Sequence, residues 1–135
     1  MGSKTNKDSL KEKRANEWGR QAENIVREYL ISKGYTVREQ NWTPKTSKSE
    51  IDIIAQKGDI LAFVEVKARS DRDLDPADAI TADKIKKVVR GANSYLETQE
   101  YDFFYRFDVA TVSGNPEDYV LDYLEDAFLP PLLQR

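Results

Sequence analysis

Cysteine and histidine are both missing from this 135-residue chain. Without cysteine there are no disulfides, thiolate zinc sites, iron–sulfur clusters or thiol nucleophiles. Without histidine, Ser-His-Asp triads, HExxH metalloprotease sites and any imidazole base are excluded. No apolar run approaches the ~20 residues that cross a bilayer. The polar, lysine-rich start contains no apolar stretch that would act as a secretory signal, so a cytoplasmic location is expected. Catalysis, if there is any, falls to carboxylates, lysines, hydroxyls or a hard metal ion held by oxygen.

Charge is plentiful but unevenly spread. Charged residues make up 33% of the chain and hydrophobic residues 39%, a balance that suits a globular domain with a heavily charged surface. Residues 1–90 carry 19 Lys and Arg against 15 Asp and Glu, whereas residues 91–135 carry 2 against 9. The net charge of −3 argues against nucleic-acid binding through bulk charge, yet leaves room for a local basic groove in the first part. The length fits one domain over residues 14–135. Residues 1–13 are expected to be a flexible basic arm or the frayed start of a helix.

From Arg14 to Lys33 the apolar residues Trp18, Ala22, Ile25, Val26, Tyr29 and Leu30 recur at helical spacing, and Gly34 supplies a stop. Residues 35–42 read as a strand, with Tyr35, Val37 and Glu39 alternating against Thr36 and Arg38. Two stronger strands follow, EIDIIAQ at 50–56 and ILAFVEVK at 60–67, with Lys57-Gly58 as the expected hairpin loop. An acidic loop at 71–78 is expected to contain a short helical turn at Asp75-Pro76. Thr81 reads as the N-cap of a second helix carrying Ile85, Val88, Val89, Ala92, Tyr95 and Leu96 on one face. Strands at 103–112 and 119–123 complete the order α-β-β-β-α-β-β, an α/β chain whose mixed central sheet is flanked by helices.

Asp52 and Glu65 stand inside near-continuous apolar runs, where a carboxylate is costly unless it is paired or binds a cation. With Lys57-Gly58 as the loop, Glu50 pairs with Glu65 and Asp52 with Phe63. Glu50, Asp52, Glu65 and Lys67 then share one side of the sheet, with Asp52 and Glu65 diagonal to one another. A divalent cation such as Mg²⁺ or Mn²⁺ complements such crowded acids, and Lys67 would face the nucleophile or the phosphate. The competing reading is a buried ion-pair cluster of Lys67 with Glu65 and Asp52 that only sets register. Glu23 lies between Arg20 and Arg27 at helical spacing, so an ordinary surface salt bridge is its plainer reading.

The segment SEIDIIAQKGDILAFVEVKAR resembles the core of the YraN family of small bacterial endonuclease-like proteins, within the PD-(D/E)xK restriction-endonuclease-like superfamily. The likeness extends over roughly residues 17–128. It takes in Gly19 with Glu23, Gly34-Tyr35, Gln40-Asn41-Trp42, Lys84, Arg106-Phe107-Asp108-Val109 and Glu125-Asp126-Ala127-Phe128. The chain departs from the family pattern at Ala22 and Ser49, where glycine is usual, and at Ala68, where threonine is usual. The resemblance implies a restriction-endonuclease-like core related to archaeal Holliday-junction resolvases. It implies Asp52 and Glu65 as metal-binding acids, Lys67 as the motif lysine and Glu23 as the helix carboxylate completing the catalytic set. It also implies Mg²⁺-dependent phosphodiester hydrolysis, in DNA repair, recombination or processing.

Arg69, Lys84, Lys87 and Arg90 are candidate nucleic-acid contacts, with DNA favoured over RNA, although the helix charges also read as a solvated face. A homodimer is expected, because cutting two strands symmetrically needs two sites. The alternatives are a nucleic-acid-binding module without efficient catalysis, or a protein-interaction domain using the acidic last third. In the latter case residues 128–133 dock a partner rather than pack on their own core.

Overall fold

The structure is a computed structural model that describes residues 6–70 and 80–128. The loop expected at 71–78 with its Asp75-Pro76 turn, and the tail beyond Phe128, lie outside the described residues. Helix α1 (Asn6–Ser32) is followed by β1 (Thr36–Trp42), β2 (Ile51–Lys57), β3 (Ile60–Arg69), α2 (Ala82–Glu97), β4 (Phe104–Asn115) and β5 (Asp118–Leu124). The five strands form one sheet in chain order, with β3 and β4 parallel and every other pair antiparallel. This mixed sheet between two helices is consistent with the restriction-endonuclease-like architecture.

Apolar spacing explains which face each helix covers. Ala22, Val26 and Leu30 of α1 bury against Ile53, Ala55, Ala62, Val64, Ala110 and Val112. Val88, Ala92 and Tyr95 of α2 bury against Ile54, Leu61, Phe63 and Phe107 on the other face. Thr81 caps α2 by accepting from the Lys84 N–H at 3.2 Å, as the sequence pattern requires. Helix α1 ends in a Schellman turn: Gly34 at φ +92° lets the Tyr35 N–H reach the Leu30 carbonyl and the Gly34 N–H reach that of Ile31. The helix also reaches back to Asn6, well before its first core residue.

The hairpin register differs from expectation. Lys57 pairs with Ile60, Ile54 with Phe63 and Ile53 with Val64, so the loop is Gly58-Asp59 rather than Lys57-Gly58. Gly58 at φ +61° supplies the left-handed first corner that a two-residue hairpin demands, and Lys57 cannot do so cheaply. The expected pairs Glu50 with Glu65 and Asp52 with Phe63 therefore do not form. The offset is two residues in pairing sum, so no side chain changes face. Continuing the observed register one step sets Asp52 across from Glu65, closer than the diagonal anticipated.

A bulge between Val37 and Glu39 interrupts the expected alternation of β1. Its later part then pairs Gln40 with Ile53 and Trp42 with Ile51, which leaves Asn41 across from Asp52. No helix of the described residues is long and apolar enough to cross a membrane.

Candidate active site

The site begins where two strands part. The β2–β3 ladder ends at Ile53 and Val64, and the Val66 N–H then donates to Asp52 Oδ2 at 2.8 Å. A side-chain carboxylate thus takes the place of the next backbone acceptor and sits in the fork. Asp52 is 8% exposed. Glu65, across the fork, has a side chain only 12% exposed. Its Oε1 lies 3.3 Å from Lys84 Nζ, and its Oε2 is buried with no hydrogen-bond partner.

These acids are held in an uncomfortable state. Burial pushes the Asp52 carboxyl up to about 6, with the charges of Glu23 and Glu50 adding to the rise. The Val66 N–H and Lys84 pull it back in part. Burial, followed by the charge of Asp52 and a hydrogen bond to Asp52 from the protonated carboxyl, pushes Glu65 up to about 8 against the opposing pull of Lys84. Two carboxyls facing each other with one lysine between them are short of positive charge.

The remaining acids approach without closing on the pair. Glu23 accepts from Asn41 Nδ2 at 3.0 Å and forms no ion pair with Arg20 or Arg27, so its plain salt-bridge reading does not hold. Asn41 itself is held at φ +54°, a left-handed conformation that costs a non-glycine residue about 1 kcal/mol or more and clusters at functional sites. Glu50 precedes β2 beside the buried Ser49. Among the described residues no three acids form a ready-made metal cluster.

Lys67 is exposed on β3 and pairs with neither acid, so the register-setting cluster of Lys67 with Glu65 and Asp52 is not what forms. The cation at the acids is Lys84. Lys87 and Arg90 are exposed on α2, the former one turn beyond Lys84. Arg69 accepts from Trp18 Nε1 through its backbone carbonyl at 3.1 Å. It lies in a groove of about 690 Å³ with Lys11, Arg14 and Trp18, and Ala68 next to Lys67 lines the same groove.

Sequence reasoning missed three features. Asn41 stands out in the sequence only as part of a resemblance, although asparagine is among the few non-glycine residues that tolerate left-handed backbone. The Lys84–Glu65 contact spans two elements and has no local signal. Thr111, paired with Lys67 across β3 and β4, is 1% exposed with an unpartnered hydroxyl.

The donor set fits a hard divalent cation. It offers two facing carboxylates, one with a buried oxygen lacking any partner, and both with protonation pushed toward neutrality by burial. Mg²⁺ is commonly held by one or two carboxylates, with waters and phosphate oxygens filling the remaining positions.

Residues 22–112 match the profile described as "Uncharacterised protein family UPF0102". A UPF0102 protein of Phocaeicola vulgatus is 36% identical over 118 residues, covering 87% of this chain and 96% of the relative. One from Parabacteroides distasonis is 40% identical over 119 residues, covering 87% and 97%. Another, from Flavobacterium psychrophilum, is 40% identical over 114 residues, covering 84% and 94%. With likeness over nearly the full length of these relatives and a match through both acids of the fork, the chain belongs to the UPF0102, or YraN, family.

Proposed function

We propose that this protein is a metal-dependent nuclease that hydrolyses phosphodiester bonds in nucleic acid, with DNA the favoured substrate. The observation that carries this reading is the pair of buried carboxyls, Asp52 and Glu65, facing each other at the strand fork, with Glu65 Oε2 met by no donor when both are ionised. A purely structural ion pair leaves no reason to strand a carboxylate oxygen away from both water and donors.

Asp52 and Glu65 would hold Mg²⁺ or Mn²⁺, which supplies charge stabilisation at the phosphate and makes water more acidic. The protein's own groups do the rest. The Val66 N–H fixes the Asp52 carboxylate, so its free oxygen points consistently. Asn41 holds Glu23 at the margin, where its charge adds to the field favouring a cation. Lys67, exposed two residues along β3 from Glu65 and so on the same face, would offer an ammonium to a phosphate oxygen. Lys87, Arg90 and Arg69 offer further positive charge for the strand on either side.

The test is cleavage of single-stranded, duplex, flap and four-way-junction DNA, and of RNA, in Mg²⁺, Mn²⁺ or EDTA. We expect metal-dependent cutting that falls by about 10³-fold in Asp52→Asn and about 10²-fold in Lys67→Ala. A folded protein that cuts none of these and binds no ion in calorimetry would return the acids to a structural role.

A further inference from the structure

Lys84 is in a position that the fold alone does not explain. It is the third residue of α2, inside the first turn, where the helix dipole favours acids such as its neighbour Asp83 and disfavours a cation. Its side chain is 36% exposed, yet it turns inward to place Nζ 3.3 Å from Glu65 Oε1. It does so while Glu65 Oε2 is left without a partner. Lysine is a compact, mobile charge on a long stem and can leave such a contact without unfolding anything. Its backbone N–H remains tied to the Thr81 cap, so the root of the side chain stays fixed when the ammonium moves.

We propose that Lys84 is a resident counter-ion: it occupies the acid pair in the empty enzyme, competes weakly with the divalent ion, and passes to the substrate's phosphate once the ion is bound. This rests on the nuclease reading above and adds a substrate-positioning residue from α2 to it. The physical basis is charge balance. With both acids ionised, as divalent-ion binding requires, one lysine leaves a deficit of positive charge, whereas one lysine and a divalent ion leave an excess. A phosphodiester beside the site removes that excess, and the ammonium is the part free to follow it.

The measurement is Mn²⁺ affinity of wild type, Lys84→Gln and Lys84→Arg by calorimetry without nucleic acid. It is followed by DNA affinity at several salt concentrations in Ca²⁺. We expect Lys84→Gln to bind Mn²⁺ roughly tenfold more tightly, because a competing charge is gone. It should also bind DNA more weakly, with the log–log salt slope reduced by about 1. Lys84→Arg should stay near wild type in both. A residue that merely props Glu65 gives the opposite sign, with Mn²⁺ binding unchanged or weaker in Lys84→Gln, and that result overturns the proposal. Wild type that binds no Mn²⁺ overturns the nuclease reading as well, whereas wild type that binds and cuts while Lys84→Gln binds Mn²⁺ equally overturns only the role of Lys84.

Discussion

Two buried carboxylate centres lie within this one sheet, and they are built on opposite principles. Asp108, fully buried on β4, has every lone-pair direction answered. Arg106 Nε donates to both its oxygens at 3.0 and 3.1 Å, the Asp126 N–H to Oδ1 at 3.0 Å, and the Tyr123 hydroxyl to Oδ2 at 2.5 Å. Burial works against the charge of Arg106, but its hydrogen bonds to Asp108 and to the Tyr35 hydroxyl outweigh that and keep the guanidinium ionised. Burial and then the charge of Asp108 hold the Tyr123 phenol well above its ordinary value, so it remains a donor. The Asp52–Glu65 pair is nearly as buried but has one backbone donor, one lysine and one stranded oxygen. A satisfied cluster ties elements together, whereas an under-satisfied one is costly until a further partner answers it.

The largest effect is expected from removing the acid at the satisfied centre. Asp108→Ala leaves the Arg106 charge, the Tyr123 hydroxyl and the Asp126 N–H without their acceptor. It should destabilise the fold by about 3–5 kcal/mol in urea melts. It should also loosen the C-terminal turn, where Asp126 sits at φ +54° and the Ala127 N–H donates to the Phe107 carbonyl at 2.7 Å. Phe128 stacks on Phe107 at 5.0 Å, so the chain's end packs on its own core at least to that residue. Removing Asp108 with only a small stability loss would mean the contrast between the two centres is not energetic.

Next in size is a change that reaches the site through packing. A Cβ on Gly91 would stand 2.7 Å from the Ser49 carbonyl oxygen and 3.2 Å from Ile51 Cγ1. Gly91→Ala must therefore push the Ser49–Glu50 segment that leads into Asp52. We expect a loss of about 1–3 kcal/mol and weaker Mn²⁺ binding. Gly19→Ala, where nothing lies within 4 Å of the new methyl, is the control and should stabilise α1 by up to about 1 kcal/mol. Equal melting shifts in the two variants would show that helix propensity, rather than contact with the site, governs Gly91.

Much of this division was legible in the sequence, and the physical reason is locality. The 3.6-residue spacing of Ala22, Val26 and Leu30, the stop at Gly34 and the cap at Thr81 each act within one turn of helix, so a single stretch of chain reveals them. Asp52 and Glu65 stood out because an acid inside Ile-rich and Val-rich runs violates its surroundings whatever the tertiary fold. The hairpin register was missed because the choice between Lys57-Gly58 and Gly58-Asp59 turns on which corner takes φ +61°, a difference of one residue. Lys84 and Asn41 reach the site across elements far apart in sequence, where no local pattern points to them. Asp108 was quoted only as a motif because its three partners come from β4, β5 and the C-terminal turn. Residues 9–17 of α1 are all exposed, with no buried side chain to announce a helix, so its helical start was one of two readings.

Smaller effects come from neutralising the under-satisfied pair. At pH 9, where both acids are ionised, Asp52→Asn and Glu65→Gln remove a buried charge that the protein without an ion answers poorly. Each should raise stability in EDTA by about 1–2 kcal/mol while eliminating Mn²⁺ binding. The sign is the reverse of that at Asp108. Destabilisation by both variants in EDTA would mean that Lys84 and Val66 already satisfy the acids, and the contrast between the two centres would dissolve.

The pH dependence tests the same imbalance without mutating the pair. Glu65 rises from 4.5 to about 8 on folding and Asp52 from 3.8 to about 6. As pH climbs above about 4, the unfolded chain gives up these protons first, so the native state holds more protons and loses stability. The loss continues until the folded pair has ionised near pH 8. Every carboxylate of the unfolded chain titrates near pH 4, so the informative quantity is the difference in stability between wild type and Glu65→Gln, followed by urea melts from pH 4 to 9. That difference should favour Glu65→Gln increasingly as pH rises in EDTA. Mn²⁺ at ten times its dissociation constant restores about 1.4 kcal/mol to wild type alone, most strongly where the acids are ionised. A difference flat with pH in EDTA would mean Glu65 keeps an ordinary carboxyl in the folded protein, and the fork would then hold no stored preference for a cation.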